Sequence, residues 1–200
     1  MNIAVFASGN GTNFEAIAKA IRRGYIKANL ALLVCDNPAA FVIKRAKRLK
    51  IKSVLIDRNL FSTKNDFEKE IIRNLRKEKV SLIILAGFMR LLSPGFVALY
   101  RNKIINIHPA ILPSFKGIDS IKKAYEYGCK VAGVTVHFVD EKTDHGPIIL
   151  QEAVKIKTGM SLSGLERRIH RLEHKLYPLA VKLFVEGELK VRGRRVILLS

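Results

Sequence analysis

Asn106 and His108 stand two residues apart in the apolar stretch KIINIHPAIL, residues 103–112. On an extended strand alternate side chains share a face, so Ile105 and Ile107 pack one way while Asn106 and His108 point the other. If that second face opens at the carboxyl end of the strand, an amide N–H can donate to a developing oxyanion, and an imidazole can give or take a proton. A buried Asn/His pair with a purely structural task is the competing reading. A second stretch, VHFVDEKTDHGPIILQ over 136–151, crowds Asp140, Glu141 and Asp144 into one turn. One of those carboxylates could hold an imidazole in its charged form and order a water for proton transfer. The plain alternative is a solvated acidic turn. His137 alternates with Val136 and Phe138 and either faces the same cleft or sits satisfied in the core. His145, His170 and His174 show no metal-ligand spacing, and no GxSxG element marks a serine nucleophile.

Two further stretches lie where a strand runs into a loop. FASGNGTNFEAI, residues 6–17, has the form of a strand–turn–helix with Gly9 and Gly11 in the turn. Glycine lets the backbone approach a ligand closely, and the following helix directs its free N–H groups and positive dipole end outward, so a phosphate suits it. The Gly-Lys-Ser/Thr ending of a Walker loop is missing, and Phe14 occupies the third glycine position of a dinucleotide fingerprint. A merely structural tight turn is the alternative. In AGFMRLLSP, residues 86–94, Met89, Leu91 and Leu92 are apolar residues in a loop. They either wall a flat hydrophobic ligand or fold back onto the core.

The elements that must position these residues alternate along the chain. Strand-like runs at 2–8, 30–36, 52–57 and 80–88 are separated by helical patterns over 12–23, 44–52 and 62–77. A short helix near 95–100 precedes the Asn/His strand. Continuous apolar strands alternating with helices predict an α/β fold, a doubly wound, mostly parallel sheet with helices on both faces. The runs at 130–140 and 146–156 are joined by a short link, which predicts an antiparallel strand pair near the C-terminal part. A long helix over 163–186 follows, with Ser163 and Glu166 reading as a capping box and Pro178 expected to kink it, then two short basic strands. No Pro/Gly/Ser-rich linker interrupts the chain, so one domain over 1–200 is expected.

The 200 residues are 48% hydrophobic, with a mean hydropathy of +0.11, enough for a well-cored domain and too apolar for disorder. No apolar run reaches the roughly 18 residues of a membrane span, and the N-terminus lacks the pattern of a secretory leader. Cys35 and Cys129 stand alone and are expected as core thiols in a reducing cytoplasm. The net charge of +19 fits a nucleic-acid binder. In the densest basic stretch, KRAKRLKIK over 44–52, Lys44, Arg45, Lys47 and Arg48 are expected to face largely outward. No aromatic residue is interleaved to stack on bases. The charge is therefore read as surface charge that also draws in small anions, not as a nucleic-acid site.

SGNGTN, LAGFMRLLSP, NIHPAILPSF and VHFVDEKTDHGPIILQ, in this order and spacing, closely resemble the phosphoribosylglycinamide formyltransferase family across nearly the whole chain. The resemblance implies direct transfer of the formyl group of 10-formyltetrahydrofolate to the amine of glycinamide ribonucleotide, in purine biosynthesis, with no metal and no covalent enzyme intermediate. It implies catalytic roles for Asn106, His108 and Asp144. It places the ribonucleotide phosphate on Gly11, Thr12 and Asn13, and implies that Lys64 and Glu173 also bind that substrate. The folate would lie against Met89, Arg90, Leu91 and Leu92, with Asn106, Val139, Asp140 and Asp144. A cytoplasmic enzyme of small molecules, monomer or homodimer, is expected.

There are departures from the family pattern. Lys116 and Asp119 stand where a proline and a histidine are usual, which bears on local loop contacts. His145 stands where a small or uncharged residue is common and adds a titrating group beside Asp144. Methionyl-tRNA formyltransferase and formyltetrahydrofolate deformylase share the catalytic pattern, but the first is expected to carry a further C-terminal domain and the second an extra N-terminal regulatory domain. A catalytically idle, basic nucleic-acid-binding protein is the alternative of another class.

Overall fold

The computed structural model describes residues 1–199; Ser200, the last residue of the expected domain, lies outside the described residues. The chain divides into two compact units, Met1–Ile105 and Asn106–Ser200. The sheet has nine strands: β1 (Asn2–Phe6), β2 (Asn29–Cys35), β3 (Ser53–Leu55), β4 (Leu82–Leu85), β5 (Ile104–His108), β6 (Val131–Phe138), β7 (Ile148–Lys155), β8 (Leu189–Arg192) and β9 (Arg195–Leu198). Their order is β3-β2-β1-β4-β5-β6-β7-β9-β8.

In the N-terminal unit β1 pairs in parallel with both β2 and β4, and β2 in parallel with β3. Ile3, Ala4, Val5 and Phe6 are all fully buried, as expected of a central strand covered on both faces. Helices α1 (Thr12–Arg22), α2 (Val42–Leu49) and α3 (Lys64–Lys77) make the crossovers, and α4 (Pro94–Leu99) precedes β5. Their buried residues recur at helical spacing: Phe14, Ile17 and Ala18 on α1, and Phe67, Ile71 and Leu75 on α3. Full burial of one such large apolar side chain contributes about 1.5–3 kcal/mol. The chain leaves β1 toward β2 and β3, then returns on the other side at β4. The carboxyl ends of β1 and β4 therefore flank the point where the winding reverses, the usual place for a ligand crevice.

In the C-terminal unit β6 and β7 are antiparallel, as expected from their short link, and β8 and β9 form a second antiparallel pair. Two helices complete it, α5 (Ser120–Glu126) and α6 (Leu162–Val185). Leu165, Ile169, Leu172 and Leu176 are buried along α6, and the helix continues unbroken through Pro178. Its cap differs from expectation: Ser161, not Ser163, accepts the Gly164 N–H at 3.1 Å, so no Ser163–Glu166 capping box forms. β4 is also shorter than the apolar run suggested. Lys79 takes a left-handed φ of +50° and the Val80 N–H closes back on the Leu75 carbonyl, which assigns Val80 to the end of α3. At the other end Gly87, φ +75°, turns the chain into a loop.

Cys35 is buried and Cys129 half-buried, and both are free thiols, so only Cys35 is the expected core thiol. Among the described residues no helix is long and apolar enough to cross a membrane.

Candidate active site

Within the N-terminal unit, β1 delivers the chain at Phe6 and α1 begins at Thr12. Gly11, the residue before the helix, has φ +77°, and an added Cβ would strike the Val42 side chain. Both the conformation and the space demand glycine there. Thr12 and Asn13 open α1, so their backbone N–H groups lie in its first turn, where helical donors have no carbonyl partner within the helix. α2 braces this loop. The Val42 N–H donates to the Gly9 carbonyl at 3.1 Å. Arg45 Nε donates to the Asn10 carbonyl at 2.8 Å and Nη2 to Asn10 Oδ1 at 2.6 Å.

Arg45 is thus not the outward cation its helix position suggested. Its Nη1 lies tight against Glu15, whose carboxylate also meets Lys19 at 2.7 Å and Arg48 at 2.9 Å. The bond from Lys19 holds the Glu15 carboxyl below its ordinary value, against burial, with Arg45 adding to it.

The 86–94 loop lies beside the first loop. Ser8 N–H donates to the Gly87 carbonyl at 3.0 Å, and Met89 N–H donates to Ser8 Oγ at 3.0 Å. Arg90 Nε donates to the buried Asp36 at 2.7 Å, so its side chain is anchored away from the loop edge. Met89 and Leu91 are 72% and 68% exposed, while Leu92 is half-buried; the loop does not fold back onto the core. Lys64, at the start of α3, is exposed, and among the described residues it makes no hydrogen bond or ion pair to the 9–13 loop.

Within the C-terminal unit Asn106, His108 and Asp144 come together. Ile105 and Ile107 are buried, His108 is 4% exposed and Asn106 half-buried. His108 Nε2 donates to the Phe115 carbonyl at 2.8 Å, and Nδ1 lies 3.4 Å from Asp144 Oδ2. Both ring nitrogens therefore face acceptors, an arrangement satisfied by the imidazolium. Asp144 takes φ +45°, and its Oδ2 accepts the Gly117 N–H at 2.8 Å. Burial alone would push this carboxyl up. The neighbouring His137, the Gly117 N–H and the charge of His108 outweigh burial and hold it below the ordinary aspartate value.

His137, left open between cleft and core by the sequence, is both buried and part of this cluster. Its Nδ1 donates to the Phe138 carbonyl at 2.7 Å, and Nε2 lies 3.2 Å from Asn106 Nδ2 and 3.8 Å from Asp144 Oδ1. Asn106 Nδ2 also approaches Asp144 Oδ1 at 3.4 Å. The signal for His137 was its alternation with Thr135 on an otherwise apolar strand; both are buried and hydrogen-bonded. The departures at Lys116 and Asp119 leave this cluster in place because the loop serves it through backbone groups, the Phe115 carbonyl and the Gly117 N–H. Val139 and Asp140 are half-buried at the head of the acidic turn. Glu173 is buried on α6, 3.0 Å from His170 Nδ1. Among the described residues no group of three or more His, Cys, Asp or Glu is arranged to hold a metal ion.

The family model described as formyl transferase matches residues 1–181. Over 179 residues the chain is 50% identical to phosphoribosylglycinamide formyltransferase of Bacillus subtilis, covering 90% of this chain and 92% of that one. The Escherichia coli protein of the same name is 36% identical over 191 residues, 96% of this chain and 90% of its own. The crystal structure of glycinamide ribonucleotide transformylase 1 from Symbiobacterium toebii superimposes with a TM-score of 0.97 at 40% identity, covering 100% of this chain and 94% of that one. The chain belongs to the phosphoribosylglycinamide formyltransferase family.

Proposed function

We propose that this protein transfers the formyl group of 10-formyltetrahydrofolate to the amine of glycinamide ribonucleotide. The observation that carries the reading is the meeting of Asn106, His108 and Asp144, with Asp144 oxygens 3.4 Å from both the Asn106 amide nitrogen and His108 Nδ1. The folate supplies a formyl carbon activated as an amide-like donor. The substrate amine forms its new bond to that carbon, and the carbonyl oxygen takes up negative charge. Asn106 donates to this oxygen, and the positive charge of the neighbouring His108 imidazolium stabilises it while its ring N–H groups stay on the Phe115 carbonyl and Asp144. The 3.4 Å contact of Asn106 with Asp144 is its looser one and can be exchanged for the oxyanion, while the bond to His137 keeps the amide oriented. Asp144 sustains the charge on His108 and, directly or through water, moves the proton from the attacking amine to the folate nitrogen as the old C–N bond breaks.

Gly11, Thr12 and Asn13 would bind the substrate phosphate through the first turn of α1, with Lys64 and Glu173 as further ribonucleotide contacts. The exposed side chains of Met89 and Leu91 support a flat apolar wall for the folate, together with Arg90 and Leu92, Val139 and Asp140. We infer a single formyltransferase domain over 1–200, a reading supported by a family match that runs through both compact units. We also infer a cytoplasmic enzyme, monomer or homodimer, whose partners are small molecules and whose basic surface does not serve nucleic acid. The test is release of tetrahydrofolate from 10-formyltetrahydrofolate by the purified protein, with and without glycinamide ribonucleotide. Release that requires the ribonucleotide is expected. Release into water alone would mean a deformylase, and no turnover with salt-sensitive nucleic-acid binding would return the basic binding protein.

A further inference from the structure

His145 departs from the small residue common beside the catalytic aspartate, and the structure gives it partners. Its Nδ1 lies 2.6 Å from Asp140 Oδ2. Arg194, in the turn between β8 and β9, donates through Nη2 to the His145 carbonyl at 2.7 Å and places Nη1 3.1 Å from His145 Nε2. Nη1 is also 3.2 Å from His145 Nδ1, so the guanidinium lies across the imidazole ring while Nδ1 meets the Asp140 carboxylate. Asp140 Oδ1 also accepts the Lys142 N–H at 3.0 Å, tying the head of the turn.

The rest of this loop is closed just as firmly. The Phe138 N–H bonds the Pro147 carbonyl at 2.9 Å, and Gly146 is packed so closely on the Phe138 carbonyl that a Cβ would collide with it. Between these fixed points Asp144 holds a left-handed φ of +45°, which costs an aspartate energy unless its surroundings enforce it. The residue that follows it is His145, gripped at both its side chain and its carbonyl. The parallel pairing of Ile148 with Arg195 brings the β8–β9 turn to this end of β7.

We propose that His145, clamped between Asp140 and Arg194, is a positioning residue that aims the Asp144 carboxylate at His108. This rests on the reading of Asp144 as catalytic. Asp140 and Arg194 face the imidazole of His145, with Glu141 and Lys142 exposed on the same turn. Asp144 itself turns to His108 on β5, His137 on β6 and the Gly117 N–H. Burial raises the Asp140 carboxyl, but His145, the Lys142 N–H and Arg194 together hold it below its ordinary value.

The test compares Arg194→Ala, Arg194→Lys, His145→Ala and Asp144→Asn by kcat, KM for the ribonucleotide, melting temperature and the acid limb of the kcat/KM profile. A misplacement near 1 Å at a reacting group can cost about 100-fold, so a partial release should lower kcat about 10-fold. Arg194→Ala and His145→Ala are expected to do this with little change in KM. Their acid limb should also move to higher pH, because an Asp144 carboxylate that loses its partners is protonated more easily. Arg194→Lys, which keeps a donor for the His145 carbonyl, should recover part of kcat. Wild-type kcat in both alanine variants, or a lower melting temperature and kcat with an unmoved acid limb, would overturn the inference while an inactive Asp144→Asn left the catalytic reading intact. Full activity in Asp144→Asn would overturn that reading, and the inference with it.

Discussion

The loop at residues 9–13 and the cluster around Asp144 use different materials for comparable tasks. The loop is a backbone device: a glycine in a conformation other residues resist, then the first turn of α1, with Arg45 and Val42 bracing from behind. The cluster is a side-chain device, in which Asn106, His108, His137 and Asp144 are oriented by one another and by three backbone groups, the Phe115 and Phe138 carbonyls and the Gly117 N–H. A loop built on backbone groups tolerates change in most side chains and fails at the glycine. A side-chain cluster fails at each member, because every group removed strands a buried partner.

The largest effect should come from the cluster. Asn106→Ala is expected to lower kcat about 100- to 1000-fold, the usual cost of a lost oxyanion donor, in ribonucleotide-dependent turnover. A loss below tenfold would mean that His108 carries the oxyanion by itself. Gly11→Ala tests the other side of the comparison. Positive φ and the Val42 contact should together cost about 1–3 kcal/mol of stability in chemical denaturation, and raise KM for the ribonucleotide about 10- to 100-fold.

Arg45→Ala is gentler, since it loosens the loop without occupying it. KM for the ribonucleotide should rise about 10-fold, with kcat near wild type, because only binding geometry is relaxed. If kcat fell instead, the division between binding loop and reacting cluster would be too sharp.

Protonation of Asp144 gives a smaller and graded effect. Its folded-state carboxyl lies below the ordinary aspartate value, so its contribution to stability is complete above that value and is lost as the pH falls through the lower, folded one. Acid unfolding of Asp144→Asn should show a shallower pH dependence in that window than wild type. The smallest effect is expected at His170. The bond with Glu173 raises its imidazole, burial opposing, so its contribution is present below the ordinary histidine value and fades as the pH rises through the raised one. His170 is 54% exposed, where solvent screens the pair. His170→Ala should change KM for the ribonucleotide by about twofold or less, and only on the acid side of that transition.

Much of this was legible in the chain. Apolar runs such as NIAVF and LIIL announced parallel strands because burial on both faces leaves no polar alternation to confuse the pattern. SGNGTN announced its loop because glycine is needed where φ turns positive, and the apolar residues of AGFMRLLSP stand exposed at a neighbouring edge. The ends of elements were less legible: Ser161 caps α6 in place of Ser163, and Val80 closes α3 instead of starting β4. Those choices turn on single hydrogen bonds, Ser161 to the Gly164 N–H and the Val80 N–H to the Leu75 carbonyl.

The sequence by itself determined the class of fold, the face of β5 on which Asn106 and His108 stand, and the glycine turn between β1 and α1. These follow from short-range periods and from the steric limits of single residues, which act within a few positions of the chain. Only the tertiary structure decided that Asp144 lies against His108, that His137 holds the Asn106 amide, that Arg45 turns inward to Asn10, and that Arg194 grips His145. Each of these pairs residues far apart in sequence. Their meeting is set by where loops close and strands register, and no local pattern encodes that distance.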